Sequence, residues 1–153
     1  MKILKYEELK LEFIPWTQEY FDVAKTLVDY ISTEEFEVFH IGSTSVMLGG
    51  NGIIDLSILY ERDRLDAAVK YIKSLGFQDQ TSLPLCPNER PRKDGAVIVN
   101  NKKYLIHVHV IRKESIEHRK QLKYKNFMLS NPDAREKYEK SKRIIIDEES
   151  INS

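Results

Sequence analysis

The sequence predicts an α+β fold, in which a mixed β-sheet is flanked by helices and a pair of helices follows at the carboxyl-terminal end. Apolar residues recur at three- and four-residue steps over residues 17–31, which is typical of an amphipathic helix. Two strand-like runs, at 36–41 and 53–60, then follow one another with no helix between them. A strictly parallel α/β arrangement would place a helix between successive strands, so we expect a mixed sheet.

The amino-terminal half of the chain predicts a helix, two strands and a second helix. Thr17 is expected to cap the first helix, because its hydroxyl can accept a hydrogen bond from a free N–H group at the helix start. Four glycines between residues 42 and 52 predict a loop between the two strands. The run at 53–60 is almost continuously apolar, as expected of a central buried strand. The second helix should begin near Arg62 and end at Gly76, a residue type that favours helix ends.

The carboxyl-terminal half begins with a segment that is poor in regular structure. Residues 81–95 hold three prolines and a glycine, so we expect a loop there. Asn100 and Asn101 favour a tight hairpin, because asparagine tolerates positive φ. Asn131 and Pro132 suit the start of a helix as its cap and first residue. The remaining predicted elements are strands at 96–99 and 104–111, a helix at 115–129 and a last helix from Pro132 to about residue 146.

Length and composition fit one globular domain that covers residues 1–153. Hydrophobic residues make up 41% of the chain and aromatic residues 10%, which is too many for a disordered coil. The 24 basic and 24 acidic residues give a net charge of zero, which argues against bulk nucleic-acid binding. The sequence shows no membrane-spanning run, no signal peptide and a single cysteine. We therefore expect a cytoplasmic protein with no membrane partner.

The charges are distributed unevenly along the chain. Residues 1–37 carry a net charge of −5, whereas residues 112–143 carry a net charge of +6. The two ends could attract each other or form solvated faces. Alternatively, the basic end could help to hold a polyanionic ligand.

Residues 40–60 hold the pattern that is most informative about chemistry. Gly42 allows a tight turn and a close approach of a ligand, and Ser43 and Thr44 offer hydroxyl and N–H groups to a phosphate. Asp55 interrupts an apolar strand, where a carboxylate is costly unless it is paired, hydrogen-bonded or bound to a metal. These residues form either a phosphate-binding site or an ordinary turn beside a structural aspartate.

The segments HIGSTSV and IID, which contain this turn and Asp55, resemble the GrpB family of the nucleotidyltransferase superfamily. In that superfamily a Gly-Ser turn precedes an acidic pair of the form Asp-hydrophobic-Asp/Glu. Gly42, Ser43 and Asp55 match this pattern, whereas Ser57 stands where the second acid would be. Further similar segments are residues 13–16, 106–110 and 122–127 and the pair Asn131-Pro132.

The resemblance implies a nucleotidyltransferase-like fold with a ligand site. By this resemblance, Asp55 would be catalytic and would bind a divalent metal, Mg²⁺ or Mn²⁺. His40 would orient the turn through hydrogen bonds. Ser57 would have a supporting role, because a neutral hydroxyl is a poor substitute for an anionic oxygen at a metal. The phosphate-binding residues would be Gly42, Ser43 and Thr44.

His107 and His109 form a second candidate cluster. They lie two residues apart on a predicted strand, so both side chains project from the same face. This spacing can bind one metal ion together with a third ligand, and Asp55 could converge with them if the two strands are neighbours. The alternative is that one or both histidines are buried with backbone partners.

Three functions follow from these patterns. The first is transfer of a nucleotidyl group from a nucleoside triphosphate to an unknown acceptor, with Asp55 and a divalent metal. The second is a non-catalytic module that binds a nucleotide or another phosphate ligand, which the loss of the second acid at Ser57 favours. The third is a metal-dependent hydrolase centred on His107 and His109.

Overall fold

Over residues 1–8 and 11–152, the computed structural model forms a five-stranded sheet flanked by helices. The strands are β1 (Val38–Ile41), β2 (Ile54–Tyr60), β3 (Gln78–Asp79), β4 (Arg92–Val99) and β5 (Lys102–Arg112). The helices are α1 (Glu19–Ile31), α2 (Leu65–Ser74), α3 (Ile116–Leu129) and α4 (Pro132–Asn152). A short 3-10 turn, Ser43–Val46, follows β1. This element order confirms the predicted α+β class and the carboxyl-terminal helix pair.

The sheet is mixed, as predicted. Its strand order is β1-β2-β5-β4-β3. β2 and β5 run parallel, whereas β1 with β2, β4 with β5 and β3 with β4 run antiparallel. The predicted strands at 36–41 and 53–60 are therefore neighbours, although β1 begins only at Val38. The parallel pairing places Asp55 opposite His107 and Ser57 opposite His109.

Alternation along β2 and β5 divides their side chains between the two faces of the sheet. One face carries the fully buried apolar residues Ile54, Leu56, Ile58, Ile106, Val108 and Val110. These residues belong to the main core cluster with buried residues of α1 and α2. The opposite face carries Asp55 and the two histidines, and a smaller cluster of Val46, Leu48 and Met128 packs α3 against the turn.

Two predicted helix starts are wrong. The cap position of α1 is Gln18, and no side chain caps the helix; Thr17 contributes its carbonyl, which accepts the N–H of Tyr20. α2 begins at Leu65 rather than near Arg62, because the chain first makes a turn in which Asp63 has a φ of 66°.

The predicted loop at 81–95 is too long at its carboxyl-terminal end. β4 begins at Arg92, directly after Pro91, and pairs with β5 from there onward. The two-residue strand β3 was not predicted.

α4 continues past Ile146 to Asn152, because no glycine or proline interrupts it. No helix in the part of the chain that the structure describes is both long and apolar enough to cross a membrane.

Other local predictions are confirmed. Asn100 and Asn101 have φ values of 51° and 64° in the hairpin between β4 and β5. Gly76 ends α2 with a φ of 115°. The Asn131 side chain accepts the N–H of Ala134 at 3.1 Å and caps α4, which begins at Pro132. These residues act locally, through their own backbone preferences, so the sequence alone was sufficient to find them.

Two alanine substitutions in the β4–β5 hairpin test the position of the core. Ile106 is fully buried, whereas the side chain of Ile98 is 57% exposed. We expect Ile106→Ala to lower the free energy of unfolding by about 2–5 kcal/mol, because it leaves a cavity. Ile98→Ala should change it by less than about 0.5 kcal/mol. Urea unfolding of both variants measures the difference, and equal losses would contradict this core.

Candidate functional site

A carboxylate lies between two imidazoles on the polar face of the sheet. Asp55 on β2 and His107 on β5 are cross-strand partners. The His109 Nε2 atom lies 3.1 Å from Asp55 Oδ1, and the His107 Nδ1 atom lies 3.6 Å from the same oxygen. The pairing of β2 with β5 therefore brings together three side chains that the sequence had suggested as metal ligands.

Asp55 is anionic at neutral pH and accessible to solvent. Burial raises the pKa of its carboxyl group, but His107 and His109 lower it more, and the net pKa lies well below the ordinary range. The side chain is 26% exposed. Asp55 is therefore a carboxylate that an approaching cation can reach.

A second carboxylate lies on the other side of His107. Asp94 on β4 is the cross-strand partner of His107, and its Oδ1 atom lies 3.9 Å from His107 Nε2. The Asp94 side chain is only 1% exposed. Arg92 neutralises it with two hydrogen bonds, from Nε to Oδ1 at 2.8 Å and from Nη2 to Oδ2 at 3.0 Å.

Sequence reasoning missed Asp94 because residues 81–95 were assigned to a loop. In β4, Arg92 and Asp94 alternate and lie opposite His109 and His107. Two signals in the sequence could have identified both residues. Their charges alternate directly before the apolar run at 96–99, and a His-x-His strand follows in the chain. The proline at 91 obscured it, because proline usually marks a loop.

Tyr6 fixes the far side of the His107 ring. Its hydroxyl lies 3.1 Å from His107 Nε2, and the two ring centroids are 5.4 Å apart. Burial raises the pKa of Tyr6, and the charge of Asp94 raises it further. Tyr6 is therefore a neutral phenol that can donate to the imidazole, and His107 is held between Tyr6 and Asp55.

The glycine-rich turn lies directly against Asp55. Ile41, the last residue of β1, pairs with Asp55, and Gly42 follows with a φ of 74°. A Cβ atom added to Gly42 would lie 2.7 Å from Asp55 Oδ2. Both the backbone conformation and the available space therefore require glycine here. The turn and the carboxylate belong to one site.

The two hydroxyls predicted to bind phosphate have different surroundings. Thr44 is 3% exposed, and its Oγ1 atom lies 2.7 Å from His40 Nε2. The carbonyl of Thr44 accepts a hydrogen bond from Trp16 Nε1 at 2.8 Å. The Thr44 side chain thus supports the turn from the inside. Ser43, in contrast, is only partly buried.

His40 connects the turn to α3. Its ring contacts Thr44, and its carbonyl accepts a hydrogen bond from Lys125 Nζ at 2.8 Å. Burial lowers the pKa of His40 to about 4, and the charge of Lys125 lowers it as well. His40 is therefore neutral at pH 7, and its contacts suit the orienting role that the family resemblance implied.

Ser57 occupies the position of the missing second acid. It is fully buried, and its Oγ atom has no hydrogen-bond partner among the residues that the structure describes. It pairs with Phe39 and His109 across the sheet. Ser57 supplies no charge to the site and no exposed oxygen.

The side chains around Asp55 determine which kind of metal site could form there. Within residues 1–8 and 11–152, no three Asp, Glu, His or Cys side chains form a metal-binding cluster. Asp55 Oδ1 instead faces His109 and His107. Mg²⁺, however, is usually held by one or two carboxylates and completes its shell with water and ligand phosphates. The site therefore fits one Mg²⁺ or Mn²⁺ shared with a phosphate ligand, and not a cage made only of protein ligands.

Replacing His40 tests the buried neutral imidazole through the pH dependence of stability. An unfolded chain protonates histidine near pH 6.5, whereas folded His40 stays neutral down to about pH 4. The unfolded state therefore binds more protons between these values, and the stability of the wild type falls as the pH is lowered. We expect His40→Gln to remove about 1–2 kcal/mol of the loss between about pH 7 and pH 5. Urea unfolding at several pH values measures this, and parallel profiles of the two proteins would contradict it.

Several solved structures match part of this chain. A Cid1 poly(U) polymerase structure matches with a TM-score of 0.51 and 13% identity, over 76% of this chain and 36% of that chain. A Cid1 structure with Mg and 3′-dATP bound matches with a TM-score of 0.53 and 11% identity, over 79% and 40% of the two chains. A Leishmania infantum polymerase beta ternary complex matches with a TM-score of 0.44 and 18% identity, over 70% and 46%. The present chain thus spans less than half the length of each of these proteins.

At these identities the likeness to Cid1 shows the fold alone, which is nucleotidyltransferase-like. The curated proteins contain no match to this sequence. The family model described as "GrpB protein" matches residues 6–152, nearly the whole chain. The chain therefore belongs to the GrpB protein family.

Proposed function

We propose that this protein binds the phosphate groups of a nucleotide between the turn at 42–44 and Asp55. The observation that carries the proposal is the contact between Gly42 and the Asp55 carboxylate. The turn suits an anion, because glycine allows close approach and Ser43 offers a hydroxyl and an N–H group. Asp55 would repel that anion unless a cation lies between them. A phosphate ligand carrying a divalent metal satisfies both groups.

Asp55 would hold this Mg²⁺ or Mn²⁺, and His109, whose Nε2 atom lies 3.1 Å from Asp55 Oδ1, would be the nitrogen donor beside it. When bound, the metal would neutralise phosphate charge. The Ser43 hydroxyl would donate to a phosphate oxygen, and His40 would keep the turn in position through Thr44. The Cid1 structure described with Mg and 3′-dATP supports a metal-bound nucleotide as the class of ligand.

Variants at two positions on β2 test this site. We expect Asp55→Asn to weaken Mn²⁺-dependent binding of ATP by at least about tenfold, because the anion that holds the metal is lost. Ser57→Ala should change binding by less than about threefold, since a buried hydroxyl without a partner contributes little. Calorimetric titration with and without Mn²⁺ measures both variants. Equal binding by the wild type and Asp55→Asn at every metal concentration would contradict the proposal.

A second candidate function is transfer of the nucleotidyl group, and Asp94 favours it. Asp94 supplies a second carboxylate on β4, on the far side of His107 from Asp55, whereas Ser57 carries no charge. In this reaction an acceptor oxygen forms a bond to the α-phosphorus, the bond to pyrophosphate breaks, and the acceptor loses its proton. Arg92 would have to release Asp94 for this carboxylate to take part, so we expect slow turnover.

Pyrophosphate release from ATP, with water as the acceptor, distinguishes transfer from binding alone. If the protein is a transferase, the wild type should release pyrophosphate slowly, and Asp94→Asn should lower this rate by about tenfold or more while it retains ATP binding. Ser57→Ala serves as the control and should keep the wild-type rate. Binding of ATP without any pyrophosphate release would identify a non-catalytic binding module.

A further inference from the structure

A cavity of about 480 Å³ lies between α1, β1 and the end of α3. Its wall is mostly apolar, and the larger apolar side chains in it are Phe21, Val28, Phe39, Met47 and Leu129. Of these, Leu129 is 39% exposed. The volume falls within the range of about 300–1,000 Å³ that is typical of small-molecule sites. An apolar wall in contact with water is unfavourable, so the apolar part of a ligand would be stabilised there.

The cavity follows the free edge of the sheet. β1 is the outermost strand, with β2 as its neighbour. Phe39 and His40 are consecutive residues of β1, so their side chains point to opposite faces of the sheet, yet both line the cavity. Among the described residues, neither Ser43 nor Asp55 belongs to its wall. The cavity is therefore distinct from the proposed nucleotide site.

A half-buried lysine forms part of this mostly apolar wall. Lys125 of α3 lines the cavity, and its Nζ atom donates a hydrogen bond to the His40 carbonyl at 2.8 Å. Because this bond joins two residues of the wall, the ammonium group lies where α3 meets the edge of β1. A lysine has three N–H donors, and this bond uses one of them.

The charge of Lys125 has no acidic partner among the described residues. Burial lowers its pKa, as expected of an ammonium group that no carboxylate stabilises. Partial burial of an uncompensated cation is unfavourable. An anionic group of a ligand would offset this cost, because it would supply the missing partner.

The other titratable groups of the wall leave its charge positive. Lys25 of α1 is mostly exposed and lies 3.2 Å from Asp29 on the same helix. His40 is neutral at pH 7, because its pKa is about 4. Among the described residues that line the cavity, none is Asp or Glu. The wall is therefore complementary to an anion.

We infer that this cavity is a second ligand site, which binds a small carboxylate with an apolar body. The apolar body would lie against α1 and β1, at Val28 and Phe39, and the carboxylate would accept hydrogen bonds from Lys125. One ammonium group with two remaining N–H donors suits the single charge of a carboxylate better than the double charge of a phosphate monoester. This site does not depend on the proposed nucleotide function, because none of its ligand contacts involves Asp55.

The first test varies the ligand, in calorimetric titrations of the wild type without added metal. The probes are two apolar carboxylates, octanoate and naphthoate, their uncharged amides, and acetate. We expect at least one of the two carboxylates to bind about tenfold more tightly than its amide, because the amide lacks the charge that pairs with Lys125. Acetate should bind at least about tenfold more weakly, because it has no apolar body.

The second test varies Lys125. We expect Lys125→Gln to weaken binding of the carboxylate by about tenfold and binding of its amide by less than about twofold. Lys125→Arg keeps the charge and should retain most of the affinity. Lys123→Gln, an exposed position on the same helix, is the matched control and should have no effect.

A second position keeps the test valid if the loss of Lys125 disturbs the fold, since Lys125 also holds the His40 carbonyl. Leu129 lines the cavity and is partly exposed, so a polar residue is tolerated there. Leu129→Glu should weaken binding of the carboxylate by at least about tenfold more than Leu129→Gln, because only the glutamate repels it. A thermal melt of each variant checks that the fold is unchanged.

Four outcomes would overturn the inference. The first is that the wild type binds neither octanoate nor naphthoate, and the second is that it binds each of them no better than the matching amide. The third is that Lys125→Gln folds and binds the carboxylate as tightly as the wild type. The fourth is a dimer in sedimentation experiments that Leu129→Glu dissociates, because a second copy would then fill the cavity. None of these results bears on ATP binding at Asp55, so the proposed function is tested separately.

Discussion

The candidate site depends on the register of the parallel pair β2 and β5. A shift of one residue would turn every side chain of a strand to the other face of the sheet. The register is fixed because apolar residues on both strands, such as Ile58 and Val110, are fully buried on one face against the helical layer. Asp55, His107 and His109 must then lie together on the opposite face. Burial of the core therefore positions the polar groups.

The two carboxylates of the site, Asp94 and Asp55, are stabilised in different ways. They also differ in how far solvent can reach them. Asp94 is almost completely buried and receives two hydrogen bonds from a guanidinium, so its charge is compensated within the protein. Asp55 is partly exposed, and its ion-pair partners among the described residues are the imidazoles of His107 and His109. Of the two, Asp55 is the group whose charge remains available to a ligand. An unpaired carboxylate with the burial of Asp94 would be strongly unfavourable.

The basic segment near the carboxyl-terminal end serves more than one purpose. Lys125 holds the backbone at His40, and Arg135 caps the end of α3. These contacts fit the interpretation that the basic end is structural. Lys142 instead lies beside Gly50 of the turn.

The sequence by itself determined the α+β class, most strands and helices, and the residues that shape tight turns, because periodic burial and backbone preferences are local properties. The turn at Gly42, the carboxylate at Asp55 and the His107–His109 pair were also recognisable from residue type and spacing. Only the tertiary structure decided which strands are neighbours, and so which of these groups meet. It revealed Asp94 with Arg92, buried the side chain of Thr44 and brought Lys142 to Gly50. These contacts join segments far apart in the chain, and their formation depends on the packing of the whole sheet, which no local pattern encodes.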